Sequence, residues 1–224
     1  MSKILGLTTA VLFLLAGISN GQATTFKAGG TLLNVKLRPV TEMHFKDVVR
    51  QRYDLSCGAA AMATLMQYFY EQDVKEKEVI DAMIKLGDPE KIAESGFSML
   101  ELKWFAEDRG FVSQGYRIDD PEHMRNLEIP VITLVNTRGY SHFVVLKAIR
   151  GDEAVIADPA FGNVVKSFDQ FTSEWSNVVL VVLSKSLNGT RQFARDFSIK
   201  APLSETTLLT TRGYRALPPG PGEF

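Results

Sequence analysis

Residues 51–63, QRYDLSCGAAAMA, mark the point where a polar loop turns into an apolar, Ala-rich segment. The chain's only cysteine, Cys57, lies at that junction. No Pro or Gly interrupts residues 59–70, so a helix is predicted to begin near Cys57 with Ser56 as its N-cap. A thiol in the first turn of a helix is expected to have a lowered pKa, because unpaired amides and the helix dipole favour the thiolate. Cys57 is therefore a candidate nucleophile. The simpler alternatives are a small buried side chain and an intermolecular disulfide.

The composition is that of an ordinary globular protein. The 224 residues are 45% hydrophobic and carry 25 basic against 26 acidic side chains, which is enough for one domain with a full core. The balanced charge gives no basic patch for nucleic acid, and the chain has no nucleotide-binding loop of the Gly-x-x-x-x-Gly-Lys-Ser/Thr kind. One cysteine and three scattered histidines form no zinc pattern. We therefore expect no nucleic acid, no ATP, no metal and no organic cofactor.

The N-terminus has the layout of a secretory signal peptide. Lys3 precedes an apolar run over residues 4–16, and small and polar residues follow as far as Ala23. The run is shorter than the roughly 20 apolar residues that span a bilayer. An uncleaved membrane anchor is the alternative. Export predicts a periplasmic protein, in which a low-pKa Cys57 would be prone to oxidation.

Helices are predicted in the first half of the chain and strands in the second. Residues 75–86 form an amphipathic pattern that ends at Gly87, and Ser98 begins a third helix through a capping box with Glu101. Strands are predicted at 111–118, 130–136, 142–149, 154–157, 164–168 and 178–183, completing an antiparallel meander, with a short helix at 120–126 and a further strand or arm at 31–37. This segregation indicates an α+β fold, with an N-terminal helical half packed on an antiparallel β-sheet.

Four segments follow from these patterns. They are a signal peptide at 1–23, an N-terminal extension at 24–39, one folded domain at 40–185, and a C-terminal extension at 186–224 whose last ten or so residues are expected to be disordered.

A reactive thiol needs a base, and the best candidate is His142. His44 lies in a polar approach segment and His123 in a charged stretch, whereas His142 begins an apolar strand directly after a turn. Asp158 ends the return strand of the same predicted hairpin, so the two side chains should lie at the same open end. A carboxylate there could orient the imidazole. Alone, His142 could equally be a core residue and Asp158 an Asp-Pro turn signal.

The order Cys, His, Asp along the chain is the papain-type arrangement. Gln51, six residues before Cys57, could bring its side-chain amide close to the cysteine's own N–H and complete an oxyanion hole. Together with Cys57-Gly58-Ala59-Ala60, the strand HFVV at 142–145 and the turn DPAFG at 158–162, Gln51 matches a known pattern. Over roughly residues 40–185, the chain resembles the double-glycine, bacteriocin-processing cysteine peptidases, which have a papain-like fold.

The resemblance implies roles for four residues. Cys57 would be the nucleophile, His142 the general base and acid, Asp158 the orienter and Gln51 the oxyanion donor. The implied reaction is endoproteolysis after a Gly-Gly pair at the end of a leader. The chain departs from the pattern in having Ser56 where many members have an acid, with Asp54 two residues earlier.

The partners follow from the kind of family member that this chain resembles. The best-known members are fused to transporters, but free-standing exported relatives occur beside functional-amyloid secretion genes. The implied partner is therefore a peptide or protein substrate, with amyloid secretion components as candidates. Two other functions fit the same cleft: a non-catalytic module that binds peptides for secretion, and a papain-fold amidase acting on cell-wall material.

Overall fold

The computed structural model describes residues 23–28, 31–36, 43–137, 139–184 and 204–212. Residues 1–22 of the predicted signal peptide and the predicted disordered end of the chain lie outside these ranges. The described residues belong to two units, one within residues 1–40 and the other within residues 41–224. In the first unit, β1 (Ala23–Ala28) pairs antiparallel with β2 (Thr31–Lys36), which is the predicted strand at 31–37.

Four helices open the second unit, namely α1 (Cys57–Tyr68), α2 (Glu76–Leu86), α3 (Pro89–Ser95) and α4 (Met99–Asp108). As predicted, Gly87 follows the end of α2, and Ser98 and Glu101 form the capping box of α4. Ser56 is at the predicted N-cap position of α1, but its side chain makes no capping hydrogen bond to the helix. The sequence analysis missed α3. Its signals were Asp88, whose side chain accepts two backbone N–H bonds, and Pro89 at the first helical position.

Six strands form one antiparallel sheet. They are β3 (Phe111–Arg117), β4 (Val131–Thr137), β5 (Tyr140–Arg150), β6 (Glu153–Asp158), β7 (Gly162–Ser167) and β8 (Trp175–Ser184). A 3-10 helix, Pro121–Asn126, follows β3, and α5 (Phe168–Glu174) precedes β8. The α+β prediction is confirmed.

The predicted meander is wrong at its last step. The order is β3-β8-β4-β5-β6-β7, so β8 lies between β3 and β4 instead of beside β7. The physical reason is burial, since residues 178–183 of β8 are all buried and an apolar run of that kind belongs in the middle of a sheet. The short helix α5, which the sequence analysis also missed, lies between β7 and β8.

The sheet is covered on both faces. Alternate residues of β5 point to opposite sides. Phe143 and Val145 belong to the core shared with α1 and α4, whereas Val144 and Leu146 belong to the core shared with α5 and the 3-10 helix. The helical half therefore packs on one face of the sheet and holds the N-terminus of α1 near the start of β5. No helix in the described ranges is long and apolar enough to cross a membrane.

A short C-terminal segment also belongs to this unit. The helix α6 (Glu205–Thr210) buries Leu208 completely, and a Cβ at Gly115 of β3 would lie only 2.4 Å from Leu208 Cδ2. The backbone N–H of Met99 donates to the carbonyl of Thr211 at 2.9 Å, and the Arg212 guanidinium donates to the carbonyl of Gly96. Part of the predicted C-terminal extension is thus packed against α4.

Candidate active site

The first turn of α1 holds Cys57 against β5. The side chain is nearly buried, with 6% of the residue exposed. The neighbouring Gly58 makes this approach possible, because a Cβ there would lie 3.1 Å from Cδ2 of Phe143. The sulfur accordingly faces the backbone amide of Phe143, the residue directly after His142. Gly58 was not recognised from the sequence as a spacing residue.

The environment of the sulfur contradicts the predicted lowered pKa. Burial raises the pKa of the Cys57 thiol, and the negative charge of Asp158 raises it further. The backbone amides of Phe143 and Gly58 act in the opposite direction, but burial is the largest effect. The prediction considered the helix N-terminus and not the loss of water around the sulfur. A thiolate here needs a positive partner.

His142 and Asp158 lie together at the open end of the β5–β6 hairpin, as the sequence predicted. His142 Nε2 is 2.8 Å from Asp158 Oδ2, and the two side chains are 15% and 10% exposed. The other oxygen, Oδ1, accepts the N–H groups of Ala160 at 2.8 Å and Phe161 at 3.2 Å. The Asp158 side chain therefore stabilises the turn with one oxygen and contacts the imidazole with the other.

Gln51 is attached to the same turn, since its backbone N–H donates to the carbonyl of Pro159 at 2.9 Å. Its side-chain amide donates from Nε2 to the carbonyl of Tyr53 at 2.8 Å. The sequence predicted that this amide lies close to the N–H of Cys57, and in the structure its direction is set by the contact with Tyr53. A primary amide carries two N–H groups, so the bond to Tyr53 uses one of them.

The segment that leads to Gln51 is fixed by Gly162 and Asn163 at the start of β7. The amide of Asn163 donates to the carbonyls of His44 at 3.1 Å and Lys46 at 2.7 Å. Gly162, with φ of 85°, lies so close that a Cβ there would be 2.3 Å from the His44 carbonyl oxygen. His44 thus contributes its backbone to this contact, and His123 lies in the 3-10 helix after β3.

A groove of 360 Å³ lies beside the loop that carries Cys57. The loop residues Tyr53 to Ser56 form one side, and Asp54 is exposed there. The opposite side is mainly apolar and comes from α2, α3 and the residues before α4, namely Ile80, Ile84, Ile92, Ala93 and Phe97. A surface of this kind can receive apolar side chains of an extended or helical peptide.

Comparison with known proteins supplies the family. The model of the Peptidase C39 family matches residues 46–186, which include all four candidate site residues. The chain belongs to the Peptidase C39 family. It is therefore a cysteine peptidase of the double-glycine type, and the alternative of a non-catalytic module is not supported.

Two curated relatives are similar over most of their length. Both carry the name "Probable functional amyloid protease FapD". The one from Pseudomonas fluorescens is 39% identical over 80% of this chain and 79% of its own, and the one from Pseudomonas aeruginosa is 37% identical over 78% of each. These similarities link this C39 peptidase to functional-amyloid proteases.

Two solved structures share the fold. One is a double glycine motif protease from an AMS/PCAT transporter, in complex with the leader peptide. It is 27% identical, with a TM-score of 0.50, over 62% of this chain and 91% of that one. The other is the peptidase domain of Streptococcus ComA, with a TM-score of 0.53 at 20% identity, over 62% of this chain and 98% of that one. The predicted papain-like peptidase fold is confirmed.

Proposed function

We propose that this C39 peptidase is a thiol endopeptidase in which Cys57 is the nucleophile, His142 the general base and acid, Asp158 the orienter and Gln51 the oxyanion donor. The observation that carries the proposal is the position of the Cys57 sulfur, against the amide next to His142, whose ring is held by Asp158. With Nε2 bonded to Asp158, Nδ1 is the ring nitrogen left to take the thiol proton.

The reaction proceeds through an acyl-enzyme. His142 takes the proton of Cys57, and the thiolate attacks the scissile carbonyl carbon. The negative charge moves to the carbonyl oxygen, where the N–H of Cys57 and the second N–H of Gln51 donate to it. The imidazolium of His142 protonates the leaving amine as the C–N bond breaks. Water, deprotonated by His142, then hydrolyses the thioester and restores the thiol.

We further propose that the bond cleaved follows a Gly-Gly pair in a leader or linker. Because the sulfur is nearly buried, an acyl half without Cβ atoms can reach it most easily. The apolar groove beside Tyr53 to Ser56 would bind side chains farther along the substrate. The natural substrate would be a protein linked to secretion or to functional amyloid assembly, supported by the names of the two Pseudomonas relatives.

Export to the periplasm belongs to this proposal. Its support is the N-terminal pattern of Lys3, an apolar run and small residues, which lies outside the described residues. Fractionation of cells that express the full chain, with mass spectrometry of its N-terminus, would test both export and cleavage near residue 23. A protein recovered only from the cytosol with Met1 present would contradict this part of the proposal.

The catalytic assignment is tested with Cys57→Ala. We expect the variant to keep its melting temperature within a few degrees and to lose all measurable cleavage of a Gly-Gly leader peptide, with products identified by mass. Cell-wall fragments are incubated in parallel, since release of their peptides by the wild type would favour the amidase alternative. Cleavage by Cys57→Ala at the wild-type rate would refute the proposed function.

A further inference from the structure

One buried carboxyl group lies under the loop that carries Gln51 and Cys57. Glu76, the first residue of α2, is 5% exposed. Its Oε1 accepts the backbone N–H of Arg52 at 3.1 Å and lies 2.7 Å from the hydroxyl of Ser56. Its Oε2 is buried and has no hydrogen-bond partner among the described residues. Glu76 therefore connects Arg52 and Ser56, which lie 24 and 20 residues earlier in the chain.

The contacts continue from Glu76 to the amide of Gln51. The Ser56 hydroxyl lies 2.7 Å from the carbonyl of Tyr53 as well as from Glu76. The same Tyr53 carbonyl accepts the side-chain N–H of Gln51. Glu76 thus contacts the residues on both sides of Tyr53, and Tyr53 sets the direction of the Gln51 amide.

The loop needs such support because its backbone is strained. Leu55 has φ of 62°, in the left-handed region that a bulky side chain rarely adopts. A conformation of this kind persists only where the surrounding structure imposes it, and it concentrates at functional sites. Leu55 lies between Tyr53 and Ser56. The Ser56 hydroxyl contacts both the Tyr53 carbonyl and the Glu76 carboxylate.

The N-terminus of α2 favours a negative charge at Glu76, but burial with one oxygen unpaired offsets that gain. A buried carboxyl group with one oxygen unpaired is costly compared with an apolar side chain of similar volume. The same helix offers an exposed counterpart in Glu78, where no such cost arises. The contacts of Glu76 with Arg52 and Ser56 account for its position.

We propose that Glu76 is a positioning residue that keeps the Gln51 amide directed at the oxyanion through Arg52, Ser56 and Tyr53. The inference rests on the proposed function, because it requires Gln51 to be the oxyanion donor. It assigns a role to a residue that touches neither the substrate nor the reacting atoms.

The test uses kcat and KM for a fluorogenic peptide whose acyl half ends in Gly-Gly. Glu76→Met, which keeps the volume but removes both contacts, should lower kcat about tenfold with KM within about twofold, less than the roughly 10²–10³-fold cost of losing an oxyanion donor. Glu76→Gln keeps an accepting oxygen and should stay within about twofold of wild-type kcat. The matched control, Glu94→Met on the exposed side of α3, should leave kcat unchanged.

The decisive measurement repeats the substitution in a Gln51→Ala background. If Glu76 acts through Gln51, Glu76→Met should lower kcat there by less than about twofold, because the two effects are coupled. Ser56→Ala removes one contact and leaves the buried carboxyl group in place. If Glu76→Met fails to fold, the kcat of Ser56→Ala is compared with and without Gln51 instead.

Three results would overturn the inference while the proposed function stands. They are wild-type kcat in Glu76→Met, the same tenfold loss with and without Gln51, and a loss in Glu76→Gln equal to that in Glu76→Met. Cleavage by Cys57→Ala, in contrast, would refute the proposed function itself.

Discussion

Substitution of Gly58 by alanine would test whether the spacing between α1 and β5 controls catalysis. The new Cβ would lie 3.1 Å from Cδ2 of Phe143, whereas carbon atoms pack best at about 3.5–4.0 Å. The helix or the Phe143 ring must therefore move by roughly half an ångström. A misplacement of 1 Å can lower a rate about 10²-fold, so half of that predicts roughly a tenfold fall in kcat.

The stability of the same variant should change little. Alanine favours the helix by up to about 1 kcal/mol relative to glycine, and this offsets part of the about 1–3 kcal/mol cost of overpacking. The contacts to Leu102 at 3.5 and 3.6 Å are ordinary. The free energy of unfolding should fall by less than about 2 kcal/mol.

The assay combines kcat on a Gly-Gly peptide with urea unfolding of the same preparation. A double variant, Gly58→Ala with Phe143→Leu, provides the control, because the smaller side chain should restore part of the lost kcat. Wild-type kcat in Gly58→Ala would refute the reasoning. So would a lost kcat that the double variant does not recover at all, since the fall would then have another cause.

Two further predictions follow from Cys57 and from α6. Because burial raises the pKa of the Cys57 thiol, iodoacetamide labelling of His142→Ala, followed by mass spectrometry, should have its pH midpoint above the value of about 8.5 for a free thiol. In the wild type, labelling should begin at lower pH, because the His142 imidazolium stabilises the thiolate. If the wild type and His142→Ala gave the same pH profile of labelling, His142 would not be the proton acceptor. Leu208→Ala should reduce the free energy of unfolding by about 2–5 kcal/mol, since Leu208 is fully buried, with kcat unchanged at temperatures where the protein is folded. A urea-unfolding loss under about 1 kcal/mol would show that α6 is not part of the folded unit.

The sequence could predict those parts of the site that depend on local structure. Cys57 begins a helix because an uninterrupted Ala-rich run starts there, and His142 meets Asp158 because one hairpin carries both. In both cases the neighbours along the chain are enough to place the side chain. The same local rules predicted the capping box of Ser98 and Glu101.

The remaining features depend on contacts between distant segments. Glu76 reaches the loop from a helix that begins 20 residues after Ser56, and no spacing rule connects them. Gly58 matters because of Phe143, which is 85 positions later in the sequence. The central position of β8 in the sheet was indicated in the sequence by the unbroken apolar run at 178–183, which is typical of a central strand.

The environment of Cys57 shows why finding candidate catalytic residues in a sequence differs from explaining their reactivity. From the sequence, an exposed low-pKa thiol was expected to be sensitive to oxidation, but burial both shields the sulfur and raises its pKa. Oxidants attack the thiolate, so burial and a raised pKa both lower the sensitivity of Cys57 to oxidation. The same protection weakens it as a nucleophile until an imidazolium lies beside it. In the proposed mechanism, reactivity therefore depends less on the thiol alone than on the contacts made by Gly58, by Asp158 and by the loop that Glu76 contacts.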